Sequence, residues 1–220
     1  MKYEYVIFDL DGTILDSLDD ILSNLNKALL AIGVNYQYNR EEGAKLLGDG
    51  ALSLCKKVFR RIKISIKSPI FDEFLEVYYN IYKTNQGTLS KLYDGIPELI
   101  DILISKGIKV AVYSNKPENV IHGALEGFID TNKFEFILGQ KEEYEPKPDT
   151  KAILEMVDLY KIDLSKTLYV GDSDVDILLS KNLGIDSCGC VYGYRSRKEL
   201  VKTGATFVID TPLDLIDNIK

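Results

Sequence analysis

The sequence predicts an α/β fold, a doubly wound parallel sheet, with an all-helical segment inserted after its first strand. Three observations predict it. Short continuous apolar runs recur along the chain, the first at Tyr5-Val6-Ile7-Phe8, and such runs read as strands buried on both faces. Segments with apolar residues at helical spacing separate most of these runs, the alternation that builds βαβ units. Between Ser17 and Ser90 the alternation stops, and helical patterns follow one another without a strand.

The elements follow in order. Tyr5 to Phe8 is the first strand, and it runs into Asp9. In the inserted segment Ile21, Leu22, Leu25, Ala28 and Leu29 share one helix face. Leu52, Cys55, Phe59 and Ile62 share a second, and Phe71, Phe74, Leu75, Tyr78 and Tyr82 a third. The stretch TNQGTLSK (84–91) reads as the hinge back into the core. The α/β core is therefore discontinuous, residues 1–16 and 91–220, with 17–90 as a small helical domain. Next, Ile96, Leu99, Ile100 and Leu103 make a helix with Pro97 near its start and Gly107 after its end. Strands are expected at 110–113, 134–138, 167–170, 188–192 and 206–209. Between them, Ala152, Ile153, Met156, Val157 and Tyr160 form one helix face, and Ile177, Leu178 and Leu183 another, closed by Gly184. Ser196 and Glu199 make a capping-box pattern for a short helix that Gly204 ends.

Composition excludes several classes. With 220 residues, 45% hydrophobic and 28% charged, the chain can bury a proper core without staples. A net charge of −7 argues against a general nucleic-acid binder and requires a local positive patch for any anionic substrate. No apolar stretch is long enough to span a membrane, and MKYEYVIFDL, with Glu4 and Asp9 in it, is not a signal peptide. Cys55, Cys188 and Cys190 are too sparse for a disulfide framework, which fits a reducing compartment. Cys188 and Cys190 share a strand face without enough neighbouring ligands for zinc, and read as packing residues. The expected location is cytoplasmic and the expected state a monomer or homodimer.

In open α/β sheets, ligands bind beyond the carboxyl ends of the strands. Asp9, Asp11, Gly12 and Thr13 follow the first strand, and Ser114, Asn115 and Lys116 the next. Lys147 stands in YEPKPD (144–149), and Gly171, Asp172, Ser173, Asp174 and Asp176 follow the strand TLYV. Two carboxylates one residue apart at the end of an apolar run raise each other's cost. A bound cation inverts that local electrostatics. Hard oxygen ligands with open positions suit Mg²⁺ and a phosphate oxygen. A carboxylate is also a nucleophile toward phosphorus. The Ser114 hydroxyl and the Lys147 ammonium would then stabilise charge as it spreads over the phosphoryl oxygens.

D-x-D-G-T-x-x-D-S (9–17), S-N-K (114–116), K-P (147–148) and G-D-S-x-x-D (171–176) resemble, in order and spacing, the four motifs of the haloacid dehalogenase superfamily. The resemblance covers essentially the whole chain, and the helical insertion is similar to that family's cap. It implies an HAD-like Rossmannoid core and a Mg²⁺-dependent phosphatase acting on a small phosphorylated metabolite through an aspartyl-phosphate. By resemblance Asp9 is the nucleophile and a Mg²⁺ ligand. Asp11 is the general acid and base, and its main-chain carbonyl is a ligand. Thr13 supports Asp11 and the phosphate-binding loop, and Ser114 and Asn115 bind the phosphoryl group. Lys147 bridges Asp9 and the phosphate, Asp172 ligates Mg²⁺, and Asp176 and Ser173 hold that shell. An acid at Asp11 separates monoester hydrolysis and phosphosugar mutation from dehalogenation. The third motif often reads K-P-x-P, and Thr150 takes its last place here. LGDGALSL (47–54) and VYGYRSRKELVKTGATFVID (191–210) resemble phosphoglycolate phosphatases, which makes 2-phosphoglycolate the leading substrate. The rivals are a mutase similar to β-phosphoglucomutase, an inorganic pyrophosphatase, a silent binding protein, and a phosphorylation-switched module similar to a receiver domain. Receiver domains have no cap and no D-x-D-G-T loop.

Other features have plainer readings. Asp16 and Asp174 fit turns or helix caps. KKVFRRIKISIK (56–67) is a solvated helix face or a positive lip for an anionic substrate. His122 is an ordinary helix residue, and Tyr192 and Tyr194 pack loops or touch the cap.

Overall fold

The computed structural model describes residues 2–85 and 88–219, so Gln86 and Gly87 of the hinge segment lie outside the described residues. The apolar run at the start of the chain forms β1 (Tyr5–Phe8), buried throughout because it lies inside a parallel sheet. Phe8 stands opposite Val112 of β4 (Lys109–Pro117) on one side and Val170 of β6 (Thr167–Gly171) on the other. Outward from there lie β5 (Ile137–Gln140) beyond β4, and β7 (Asp186–Cys190) then β8 (Phe207–Ile209) beyond β6. The order β5-β4-β1-β6-β7-β8 is parallel throughout.

The two-residue period of a strand divides the core into layers. Val6, Phe8, Val110, Val112, Leu168 and Val170 face α5 (Ile96–Ser105), α6 (Glu118–Leu125) and α10 (Leu215–Asn218). Tyr5, Ile7, Ala111, Tyr113 and Tyr169 face α7 (Lys151–Tyr160) and α8 (Asp174–Leu183). The short α9 (Arg197–Thr203) begins at the Ser196–Glu199 capping box and ends at Gly204, which takes the left-handed conformation.

Between β1 and α5 the chain forms α1 (Leu18–Ala31), α2 (Arg40–Ala44), α3 (Ala51–Arg61) and α4 (Pro69–Thr84). These helices bury an apolar cluster of their own, with Leu25, Leu29, Val58, Phe59, Phe74 and Tyr78 at its centre. Phe74 stacks on Tyr78 and Tyr78 on Tyr82, with centroids 5.9 and 5.6 Å apart. The chain leaves and re-enters the α/β layers through a two-stranded ribbon. In it β2 (Leu15–Asp16) pairs antiparallel with β3 (Lys91–Leu92), Leu15 opposite Leu92.

Strand bounds differ from the apolar runs at several places, β4 among them, which runs on past Tyr113 through Ser114, Asn115 and Lys116 to Pro117. The run 134–138 gives a strand that begins only at Ile137, although Val112 N–H already donates to Phe136 O at 3.0 Å. Conversely, β7 starts at polar Asp186 and Ser187 rather than at Cys188. Their polar atoms are met by the Tyr3 hydroxyl (2.8 Å to Asp186) and by Thr206 (3.0 Å from Ser187 N).

Candidate active site

The carboxyl ends of β1, β4 and β6 open on one buried acidic pocket. Past Phe8, Asp9 keeps the sheet ladder by donating its N–H to Val170 O at 2.8 Å. A tight loop follows in which Leu10 O accepts from the amides of Thr13, Ile14 and Leu15. Gly12 takes φ +90° there, and a Cβ on it would lie 2.4 Å from Asp172 Oδ2. Gly193 backs Asp172 from another side, where a Cβ would fall 2.3 Å from the Asp172 Cβ. Backbone thus packs directly on the carboxylate, which only glycine allows.

Carboxylate oxygens of Asp9, Asp172 and Asp176 lie within 4.8 Å of one another, and all three residues are buried. Lys147, with a side chain 1% exposed, reaches into this cluster, Nζ standing 2.9 Å from Asp9 Oδ1 and 2.7 Å from Asp176 Oδ1. Asp176 is fully engaged, since its Oδ2 also accepts from Ser173 N (2.9 Å) and Ser173 Oγ (2.5 Å) at the start of α8. Asp172 Oδ2 accepts from Tyr194 N at 2.7 Å, while its Oδ1 has only the Thr13 hydroxyl at 3.5 Å. Asp9 Oδ1 is a buried oxygen with no hydrogen bond, because the Lys147 ammonium is close but off the bonding axis.

The energetics follow from this crowding. Burial pushes the Asp9 carboxyl up to about 6, Lys147 pulling against it and Asp176 adding to it. Burial also raises Asp172 well above the usual carboxylate range, helped by Asp176 and Asp9. Burial alone would lower Lys147, but Asp176 and then Asp9 outweigh it and keep the ammonium charged. Under-bonded, buried, all-oxygen, anionic donors with glycine backbone against them are a fit for a hard divalent cation such as Mg²⁺.

Facing this cluster is Asp11, whose Oδ1 accepts from Ser17 Oγ at 2.5 Å. Lys116 Nζ lies 3.0 and 3.2 Å from the two Asp11 oxygens and 5.3 Å above the Tyr82 ring. Ser114 is buried and lines the pocket. Asn115 lines it too, but its amide is committed to backbone. Its Oδ1 accepts from Lys147 N (2.7 Å), and its Nδ2 donates to Gly48 O (3.1 Å) in the helical layer. Thr13 is fully buried with its hydroxyl 3.5 Å from Asp172 Oδ1, and it is not among the residues that line the cavity. The space enclosed between these groups and Tyr78, Tyr82 and Leu54 is about 50 Å³.

Several residues take partners that sequence reading left open. Arg195 donates to Ala44 O (2.7 Å) and Leu47 O (2.6 Å), while its Nε stands 3.6 Å from Asp174. The Tyr194 hydroxyl meets Ser17, and the Tyr192 hydroxyl donates to Thr13 O at 3.2 Å, its ring against Tyr93. Lys116 stood inside the quoted motif S-N-K and Arg195 inside the stretch VYGYRSRKELVKTGATFVID, but which partner each takes is a long-range matter that spacing does not report. In the basic segment, Lys57 pairs with Asp49 (2.5 Å) and Arg61 with Glu42 (2.8 Å), and none of its cations lines the cavity.

Residues 6–190 match the haloacid dehalogenase-like hydrolase family. The chain belongs to the haloacid dehalogenase-like hydrolases. Its relatives in this family include a phosphoglycolate phosphatase of Aquifex aeolicus, 31% identical over 96% of this chain and 94% of that one. Another, from Agrobacterium fabrum, is 32% identical over 86% of this chain and 80% of that protein. Among solved structures, one from Lactobacillus delbrueckii subsp. bulgaricus, described as a candidate phosphoglycolate phosphatase, superposes with a TM-score of 0.93. It is 30% identical and covers 100% of this chain and 99% of its own. Within the haloacid dehalogenase-like hydrolases the chain therefore stands with phosphatases, enzymes of phosphoric monoester hydrolysis.

Proposed function

We propose that this hydrolase is a Mg²⁺-dependent phosphatase that cleaves a small phosphorylated metabolite, 2-phosphoglycolate first among them, through an aspartyl-phosphate on Asp9. The observation that carries the reading is Asp9 Oδ1, a buried carboxylate oxygen without a hydrogen bond, set beside Lys147 at the wall of the cavity that Asp9 and Asp11 line. Buried polar atoms are left unbonded where chemistry needs them.

Asp9, Asp172 and the main-chain carbonyl of Asp11 would hold Mg²⁺, which supplies positive charge against the phosphoryl oxygens. The protein's own groups do the rest. An Asp9 oxygen attacks phosphorus in line, and the bond from phosphorus to the leaving oxygen breaks. Asp11, across the cavity, gives its proton to that oxygen. Lys147 and the Ser114 hydroxyl take up charge as it spreads over the phosphoryl group. Asp11, now a base, takes a proton from water, which attacks the phosphorus of the aspartyl-phosphate and frees Asp9 and inorganic phosphate. Asp176 and Ser173 keep Lys147 and the α8 start in place. Asn115 joins the S-N-K and K-P loops.

Residues 17–90 act as a cap in this reading, and the core as residues 1–16 and 91–220. The cap carries Leu54, Tyr78 and Tyr82 over the cavity and excludes bulk water during the first half-reaction.

Phosphate release from a panel of small esters and pyrophosphate, with Mg²⁺ or chelator, tests the proposal. Release should depend on Mg²⁺ and fall by at least about 10³-fold in Asp9→Asn. Sugar-phosphate isomerisation without release would replace it with the mutase.

A further inference from the structure

Given the phosphatase reading above, we propose that Lys116 is the specificity-determining residue, binding a carboxylate on the leaving group and so selecting phosphate esters of short 2-hydroxy acids. Three cations approach the cavity. Lys147 is held between Asp9 and Asp176, 2.9 and 2.7 Å away. Arg195 lines the cavity, but its terminal nitrogens are spent on Ala44 O and Leu47 O and its Nε faces Asp174. Lys116 also lines the cavity, and its side chain is 5% exposed. Among the described residues the carboxylate it meets is that of Asp11, at 3.0 and 3.2 Å.

The position of Lys116 relative to Asp11 decides what it can reach. In the proposed reaction the leaving oxygen sits within hydrogen-bond reach of Asp11, about 3 Å. The Lys116 ammonium is 3.0 Å from the same carboxylate. A group one carbon beyond the leaving oxygen is therefore within reach of Lys116 Nζ, which lies over the Tyr82 ring at 5.3 Å. An ammonium has three donors, and two short contacts to one carboxylate leave capacity for a second anion. The net charge of −7 makes such a local cation necessary for a dianionic phosphate that carries a further carboxylate. The apolar and aromatic remainder of the wall, Ile21, Leu47 and Leu54, offers a larger or more polar leaving group nothing in exchange for its water.

The test is binding, which does not pass through the acid–base work of Asp11. In an Asp9→Asn background with Mg²⁺ present, titration calorimetry would compare 2-phosphoglycolate with ethyl phosphate, its near-isostere without the carboxylate. Lys116→Met, which keeps length and removes charge, should weaken 2-phosphoglycolate by about 10- to 100-fold, the worth of a charge-assisted hydrogen bond. Ethyl phosphate should change by less than about threefold, so that the ratio of affinities collapses. Equal losses on both ligands, or none on either, would overturn the assignment and leave Lys116 as a positioning residue for Asp11. Circular dichroism of the variant confirms that it folds. Phosphate release by the wild type from either ester shows that the phosphatase reading survives such a failure, and no release from any ester shows that both have failed.

Discussion

Lys147 shows how far a single side chain can carry both stability and chemistry. It is buried between two carboxylates that would otherwise share a dry pocket. Removing one member of such a group leaves uncompensated charge, a loss of about 3–5 kcal/mol. Lys147→Met should therefore lower the unfolding free energy from urea denaturation by that much at pH 7.5, and a loss below about 1 kcal/mol would mean that Asp9 and Asp176 bury a proton instead. Gly193 is the opposite case, a residue whose importance is that it has no side chain. A Cβ there would overlap Asp172 and the Gly12 carbonyl, at 2.3 and 2.4 Å. Gly193→Ala should depress kcat/KM by at least about 100-fold, as a displacement of about 1 Å does in a positioned site, while circular dichroism stays that of the wild type. Unchanged turnover would show that the loop yields freely. At this scale the sequence was informative where chemistry sits in short motifs. Asp9, Ser114, Lys147 and Asp172 are brought to one pocket by strand ends that apolar runs disclose. Thr13 and Asn115 stand at that pocket as well, but the partners their hydroxyl and amide take, Asp172, Gly48 and the Lys147 backbone, lie far along the chain, and no motif reports the pairing.

Among the elements, the joints matter more than the helices themselves. Helical periodicity identified α1 and α4 well, because each buries one broad stripe. It misjudged the edges of others. Leu52 was read into the buried face of α3 yet is 43% exposed, its place taken by Leu54 and Val58, and Leu178 on α8 is 39% exposed while Val175 and Leu179 are buried. An apolar residue at the rim of a stripe is buried only if a neighbouring element covers it, and that neighbour is not in the pattern. Neither could periodicity find the β2–β3 ribbon, whose strands are two residues each. The segment after α2 is tied to the core by Arg195 on Ala44 and Leu47 and by Asn115 on Gly48. Arg195→Ala removes the two charge-assisted bonds, worth together about 2 kcal/mol or more. Amide exchange across residues 44–50 should then quicken at least about tenfold, with protection in β1 and β6 unchanged. If exchange quickens equally in the sheet, Arg195 supports the fold as a whole and not this joint.

For the whole molecule, the acidic pocket sets how stability depends on pH. Asp9, raised to about 6, and Asp172, raised further, bind protons more tightly in the folded chain than in the unfolded one. Their contribution is complete below the unfolded carboxylate range, near pH 4, and is lost as pH rises through the folded values. The carboxylates held low, such as Asp163, Asp214 and Glu199, lose their contribution only as pH falls toward and below 4, outside this window. Lys147 stays charged on both sides of it. The metal-free protein should therefore melt lower at pH 7.5 than at pH 5, with Asp9 alone contributing about 1.4 kcal/mol between them, or about 4 °C for a chain of this size. Asp9→Asn should flatten that slope and raise the metal-free melting temperature at pH 7.5. On the proposed reading Mg²⁺ takes the deprotonated pocket, so at a hundred times its dissociation constant it should restore about 2.7 kcal/mol at pH 7.5 and far less at pH 5, where it competes with protons. Scanning calorimetry of wild type and Asp9→Asn at both pH values, with and without Mg²⁺, measures all of these together. A metal-free wild type that melts higher at pH 7.5 than at pH 5 would show that the three aspartates do not strain the fold. The case for a cation as the reason they stand together would fall with it.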